Sequence, residues 1–140
     1  MDTSIFSHIN WLAVAVAALA YFSLGAVWYN KDAWGTRWAI GHGINLNDPE
    51  TKKGSGKIMF TSLAGFFVIC FALELLIVKL DLKVFMSGVK LGVVTGIGFS
   101  WMAIFITYLY AKKPGTIHVI DGLYHVLGQV VSGIILCLWR

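Results

Sequence analysis

The sequence predicts an all-α integral membrane protein: a bundle of four transmembrane helices, with a short interfacial amphipathic helix after the first span. Three observations carry that prediction. Apolar residues make up 58% of the 140-residue chain and charged residues 13%, and mean hydropathy is +0.76. A soluble domain carries roughly a quarter charged residues and, at this size, hides only about two-thirds of the surface its unfolded chain exposes. The apolar residues also gather into four runs, each long enough to cross about 30 Å of hydrocarbon, which takes roughly 20 helical residues. Finally, Pro49 and Pro114 both fall outside those runs, so none is interrupted where the chain must satisfy its own backbone hydrogen bonds.

The expected spans are residues 9–29, 58–78, 91–111 and 119–139, in a single transmembrane domain covering 1–140, with a polar loop at 42–57. Ala18-Leu19-Ala20 in the first span resembles a signal-peptide cleavage site. However, the residues before Ile9 include Asp2 and no Lys or Arg, whereas a cleavable signal needs a basic start, so this span reads as a retained helix. Trp28, Tyr29, Trp34 and Trp38 cluster just beyond it. Amphipathic rings favour the headgroup level, which predicts a surface-lying helix over 31–40 with these residues as interfacial anchors. Asp48-Pro49-Glu50 is a good helix start, and Gly54-Ser55-Gly56 weakens a helix; a separate loop helix and an early start of span two both fit. Lys31, Arg37, Lys52, Lys53, Lys57, Lys112 and Lys113 lie in loops one and three, against Lys79, Lys83, Lys90 and Arg140 on the other side. The positive-inside bias places loops one and three in the cytoplasm and both termini outside. Cys70 and Cys137 sit inside apolar runs and read as small fillers, not as a disulfide framework.

Span four carries the chemistry-bearing residues. At 100° per residue, His118, Asp121, His125, Gln129 and Ser132 share an arc of about 80°. Ionisable residues in a bilayer cost at least about 2.5–3.5 kcal/mol and face protein or water. The leading reading is a path that binds or conducts a proton or small cation, because histidine titrates near neutrality and an adjacent carboxylate favours its charged form. A second reading makes the stripe structural glue between helices, with Tyr29 and Asn30 ending span one at the depth of Asp121. A third is a metal site: His118, Asp121 and His125 follow i, i+3, i+7 spacing and need a fourth ligand, from Asn30 or another subunit.

Glu74, near the outer end of span two, is the other costly group. Counting 1.5 Å per residue from each midpoint sets it some 20 Å in depth from Asp121, which argues against a catalytic carboxylate pair. It reads either as a salt bridge to Lys90 or as the far end of a proton path. Gly88, Gly92 and Gly96 form a small-residue stripe on span three, suited to close helix packing within the chain or between subunits.

Asn10-Trp11-Leu12-Ala13, Gly25-Ala26-Val27-Trp28-Tyr29, Trp34-Gly35 with Trp38, Ile120-Asp121-Gly122-Leu123-Tyr124-His125 and Ser132-Gly133-Ile134-Ile135-Leu136 together resemble the family catalogued as domain of unknown function 1761. The resemblance covers nearly the whole chain. It implies a small bacterial inner-membrane protein of four helices and supplies no activity, so no catalytic residue is carried over. The functional expectation is therefore a homo-oligomer in contact with membrane lipids, handling a proton or small cation along span four. The alternatives are a non-catalytic structural or accessory protein and a membrane metalloenzyme. Neither a cofactor nor a nucleic-acid partner is called for. The small multidrug exporters are similar in size but carry their essential carboxylate in span one, where this chain has no ionisable residue in its core.

Overall fold

The structure is a computed structural model describing residues 3–139, with side chains from residue 5; Asp2 and Arg140, used in the sequence arguments above, lie outside the described residues. Five α-helices are described: α1 (Trp11–Trp28), α2 (Thr36–His42), α3 (Ser55–Lys79), α4 (Phe85–Tyr110) and α5 (Gly115–Leu138). All except α2 are long and apolar enough to cross a membrane.

Local chemistry sets the helix ends. The Asn10 side chain accepts from the Ala13 backbone N–H at 3.1 Å and caps α1. In the first loop both expected outcomes occur: Asp48 caps a short 3-10 turn, Pro49–Lys52, and α3 starts early, at Ser55, after Gly54 adopts a left-handed φ of 75°. Span three begins at Phe85, not at residue 91. The polar Ser87 and Lys90 dilute the hydropathy of its first turns without breaking the helix.

α5 is the hub, packing on α1, α2, α3 and α4. Half of its apolar window is buried, against 17–28% for the other three spans. Gly88, Gly92 and Gly96 show how the α4–α5 contact is made. A Cβ on them would meet the backbones of Gly133, Val130 and Val126 respectively, so only hydrogen lets the helices approach this closely. The glycine stripe therefore packs within the chain. On the opposite side of α5, Ala13, Ala17, Tyr21, Cys70, Leu73, Ile77, Leu136 and Cys137 form the core with α1 and α3. A π-helical turn, Gly96–Trp101, interrupts α4, and its Trp101 ring lies over Gly122 of α5.

The connection after α1 folds back on the bundle. Lys31–Gly35 forms a π turn kinked at Ala33, and α2 follows. A Cβ at Gly35 would strike the carbonyl of Tyr29, so glycine is what permits the tight return. α2 then lies across the start of α5, with Ala39 buried and Gly41 against Ile117.

Candidate functional site

The polar edge of α5 points into protein. His118, Asp121, Gln129 and Ser132 are buried, and His125 is half-buried. Asp121 accepts hydrogen bonds from two tyrosine hydroxyls: Tyr29, at the C-terminal cap of α1, reaches Oδ1 at 2.7 Å, and Tyr108 of α4 reaches Oδ2 at 2.7 Å. His42, the last residue of α2, places Nε2 3.5 Å from Oδ2. One carboxylate thus joins three other helices. The expected partner Tyr29 is present, whereas the Asn30 side chain caps the following turn by accepting from Asp32.

The remaining stripe residues bond to different neighbours. His118 Nε2 lies 3.1 Å from the Lys113 carbonyl, and His125 Nδ1 lies 2.6 Å from the Tyr21 hydroxyl. The Gln129 amide donates to the Ser100 hydroxyl, and the Ser132 hydroxyl donates to the Ala17 carbonyl at 3.4 Å. The proposed trio His118, Asp121 and His125 does not converge: among the described residues no group of three His, Cys, Asp or Glu side chains could hold a metal ion. Spacing along one helix put them on one edge, but each side chain has a separate partner, on neighbouring helices for Asp121 and His125 and in the connection before α5 for His118.

Glu74 is fully buried at the other end of the bundle, accepting from the Asn10 backbone N–H at 3.2 Å. Asn10 and Tyr29 flank the 18 residues of α1, so the two carboxylates are about 27 Å apart along that helix. Lys90 is exposed; among the described residues Lys53–Glu50 and Lys83–Asp81 are ion pairs, and His42–Asp121 is one when the histidine is protonated. The expected Glu74–Lys90 bridge is not among them.

Beside Asp121 lies an open groove of about 670 Å³. Phe66 and Ile69 of α3 form one wall, Ile104 and Tyr108 of α4 the other, and Asp121 and His125 of α5 the floor. Rings in mutual contact surround the carboxylate: Tyr124 with Tyr29 at 5.1 Å, Tyr29 with Trp38 at 5.5 Å, Trp38 with His42 at 4.6 Å and His42 with Tyr108 at 5.7 Å between centroids. Two of the expected interfacial anchors are therefore groove walls, since Tyr29 and Trp38 are half-buried and line the cavity. Trp28 is also half-buried and donates to the Ile120 carbonyl at 3.1 Å. Only Trp34 of the four is exposed; the Arg37 guanidinium sits over its ring at 5.5 Å.

The family model for proteins of unknown function DUF1761 matches residues 12–137, nearly the whole chain. The chain belongs to this family. No curated protein and no solved structure matches it. In this DUF1761 protein the sequence reading missed His42, Tyr108, Tyr21 and Ser100 as partners of the stripe. Trp38 and His42, at i and i+4, carried a faint local signal of a shared helix face. Tyr21 and Tyr29 are polar-tipped rings in and beyond an otherwise apolar helix, the kind of group that seeks a hydrogen-bond partner when buried.

Proposed function

We propose that this membrane-embedded protein binds a small cation at Asp121, without catalysis, in the inner membrane of a bacterium, with the loop that carries α2 in the cytoplasm. The supporting observation is a buried carboxylate at the floor of an open groove. Its oxygens take hydrogen bonds from the hydroxyls of Tyr29 and Tyr108, and His42, 3.5 Å from Oδ2, is the one basic side chain beside it, with no Lys or Arg among the described residues pairing with it. Those hydroxyls stabilise the negative charge without cancelling it. The aromatic side chains that line the groove, Tyr29, Trp38, Phe66, Tyr108 and Tyr124, are of the kind whose ring faces attract a cation electrostatically. Conduction onward along α5 has less support, because His125, Gln129 and Ser132 are each tied to a different neighbouring residue.

The test is equilibrium binding of tetramethylammonium to purified protein in lipid nanodiscs. Saturable binding is expected in the native chain and its loss in Asp121→Asn, a variant that keeps a side chain able to meet both tyrosine hydroxyls. Equal binding by the two proteins, or none by either, overturns the reading. The hydrogen bond made by every residue of the stripe favours a second reading, a structural or accessory role in which the stripe only fastens helices. That reading predicts no bound cation and an effect of Asp121→Asn on stability alone.

A further inference from the structure

We infer that the ligand of the groove is an amphiphile, an ammonium head on a hydrocarbon tail, that enters sideways from the bilayer between α3 and α4. The inference rests on the cation-binding reading of Asp121 and adds the tail and the route. α3 and α4 are held apart, with no substantial contact between them, while each packs on α5. The gap does not end with the groove at Asp121. A second cavity of about 260 Å³ continues it toward the other end of the bundle, and Ile69 lines both. Ala72, Leu73, Leu76 and Phe99 make this continuation largely apolar, with Thr95, Ser100 and Gln129 as its polar lining. From Met59 in the first cavity to Leu76 in the second, the cleft follows α3 for about 25 Å, most of a hydrocarbon core of about 30 Å.

Charge and polarity decide what fits. The carboxylate and its aromatic ring select a cationic head, and quaternary ammonium groups are commonly held by aromatic cages. A bare divalent metal would want several oxygen ligands, whereas this groove offers one carboxylate with both oxygens already engaged. The long apolar extension has no use for a hydrated ion but accommodates a tail. Orientation agrees as well. Asp121 lies in the second turn of α5 and the extension runs toward the other end of the bundle, so an amphiphile in the leaflet at that end of the span enters head and tail already aligned. The two flanking helices are apolar on their exposed surfaces as well, with Phe60 and Phe67 on α3 and Phe105 and Ile106 on α4 exposed. A tail therefore passes from lipid to cleft without crossing water.

The experiment compares dodecyltrimethylammonium with tetramethylammonium on nanodisc-reconstituted protein. The variants are Asp121→Asn and two tryptophans that fill the extension, Ala72→Trp and Leu76→Trp; both positions are exposed along the cleft. Asp121→Asn should abolish saturable binding of both probes. Each tryptophan should weaken the dodecyl compound at least tenfold and leave the tetramethyl compound within twofold, which also reports an intact head site. If both probes bind through Asp121 and the tryptophans leave the dodecyl compound unchanged, the cation site stands and the amphiphile is ruled out. If neither probe binds through Asp121, the cation reading falls and the amphiphile with it. Loss of both probes in one tryptophan variant leaves the other to decide, and loss of both in both variants overturns the inference.

Discussion

Tyr29→Phe, made both in the native chain and in Asp121→Asn, measures how strongly the carboxylate ties α1 to α5. The Tyr29 hydroxyl reaches Asp121 Oδ1 at 2.7 Å, and Tyr108 reaches Oδ2 at the same distance, a good hydrogen-bond length for a hydroxyl on oxygen. Interhelical hydrogen bonds in membranes average about 0.6 kcal/mol and reach about 1.7. An ionised acceptor makes such a bond roughly twice as strong. Removing the hydroxyl should therefore cost about 1–2 kcal/mol in the native chain. In Asp121→Asn, where the bond joins two neutral groups, the cost should fall to about 0.6 kcal/mol. The double-mutant cycle then carries a coupling of about 1 kcal/mol, close to fivefold in the unfolding equilibrium. Reversible unfolding in mixed micelles, followed by helical circular dichroism, reads all four proteins. Additivity within about 0.3 kcal/mol would mean that the hydroxyl does not donate to a charged oxygen, and the electrostatic account of the groove would fail with it.

Two further outcomes follow from the packing and the orientation. Gly92→Leu should destabilise the bundle by about 1–3 kcal/mol or more, since its side chain would strike the α5 backbone at Val130. Gly98→Ala, where an added Cβ meets nothing, should be neutral or slightly stabilising in the same unfolding measurement. A single cysteine at Asn47 in whole cells should resist a membrane-impermeant maleimide, and one at the exposed Lys83 should react; the reverse pattern would invert the proposed orientation.

The spans were legible because a membrane helix announces itself locally, through one long apolar run with its own backbone bonds satisfied. Their ends were less so. Lys90 and Ser87 hid the first turns of α4, because a window average registers polarity and not the continuity of helical geometry. The stripe on α5 was legible for the same local reason, 100° per residue along one helix; His118, Asp121, Gln129 and Ser132 are buried and His125 is half-buried. Its partners were not. Nothing near Tyr108 or His42 in the sequence says that α4 and α2 bring them to Asp121, and His42 stood at the edge of what read as a polar loop. The glycine stripe marked a close approach but not its partner, because small residues report the distance between backbones and are silent on which backbone comes near.

Fastening helices does not by itself require a charge at position 121. An asparagine could meet both the Tyr29 and Tyr108 hydroxyls, with its carbonyl accepting from one and its amide donating to the other, and it would avoid the cost of holding an ion away from water. Stability alone even favours such an exchange, because a buried ion seldom recovers its desolvation penalty from neutral hydrogen bonds. The structural reading therefore accounts for polarity on this face of α5, and it answers a negative charge only through His42, whose Nε2 lies 3.5 Å from Oδ2 and balances the carboxylate when protonated. A cationic head in the groove would balance the carboxylate directly, and the aromatic side chains beside it and the apolar cleft beyond it favour the same occupant.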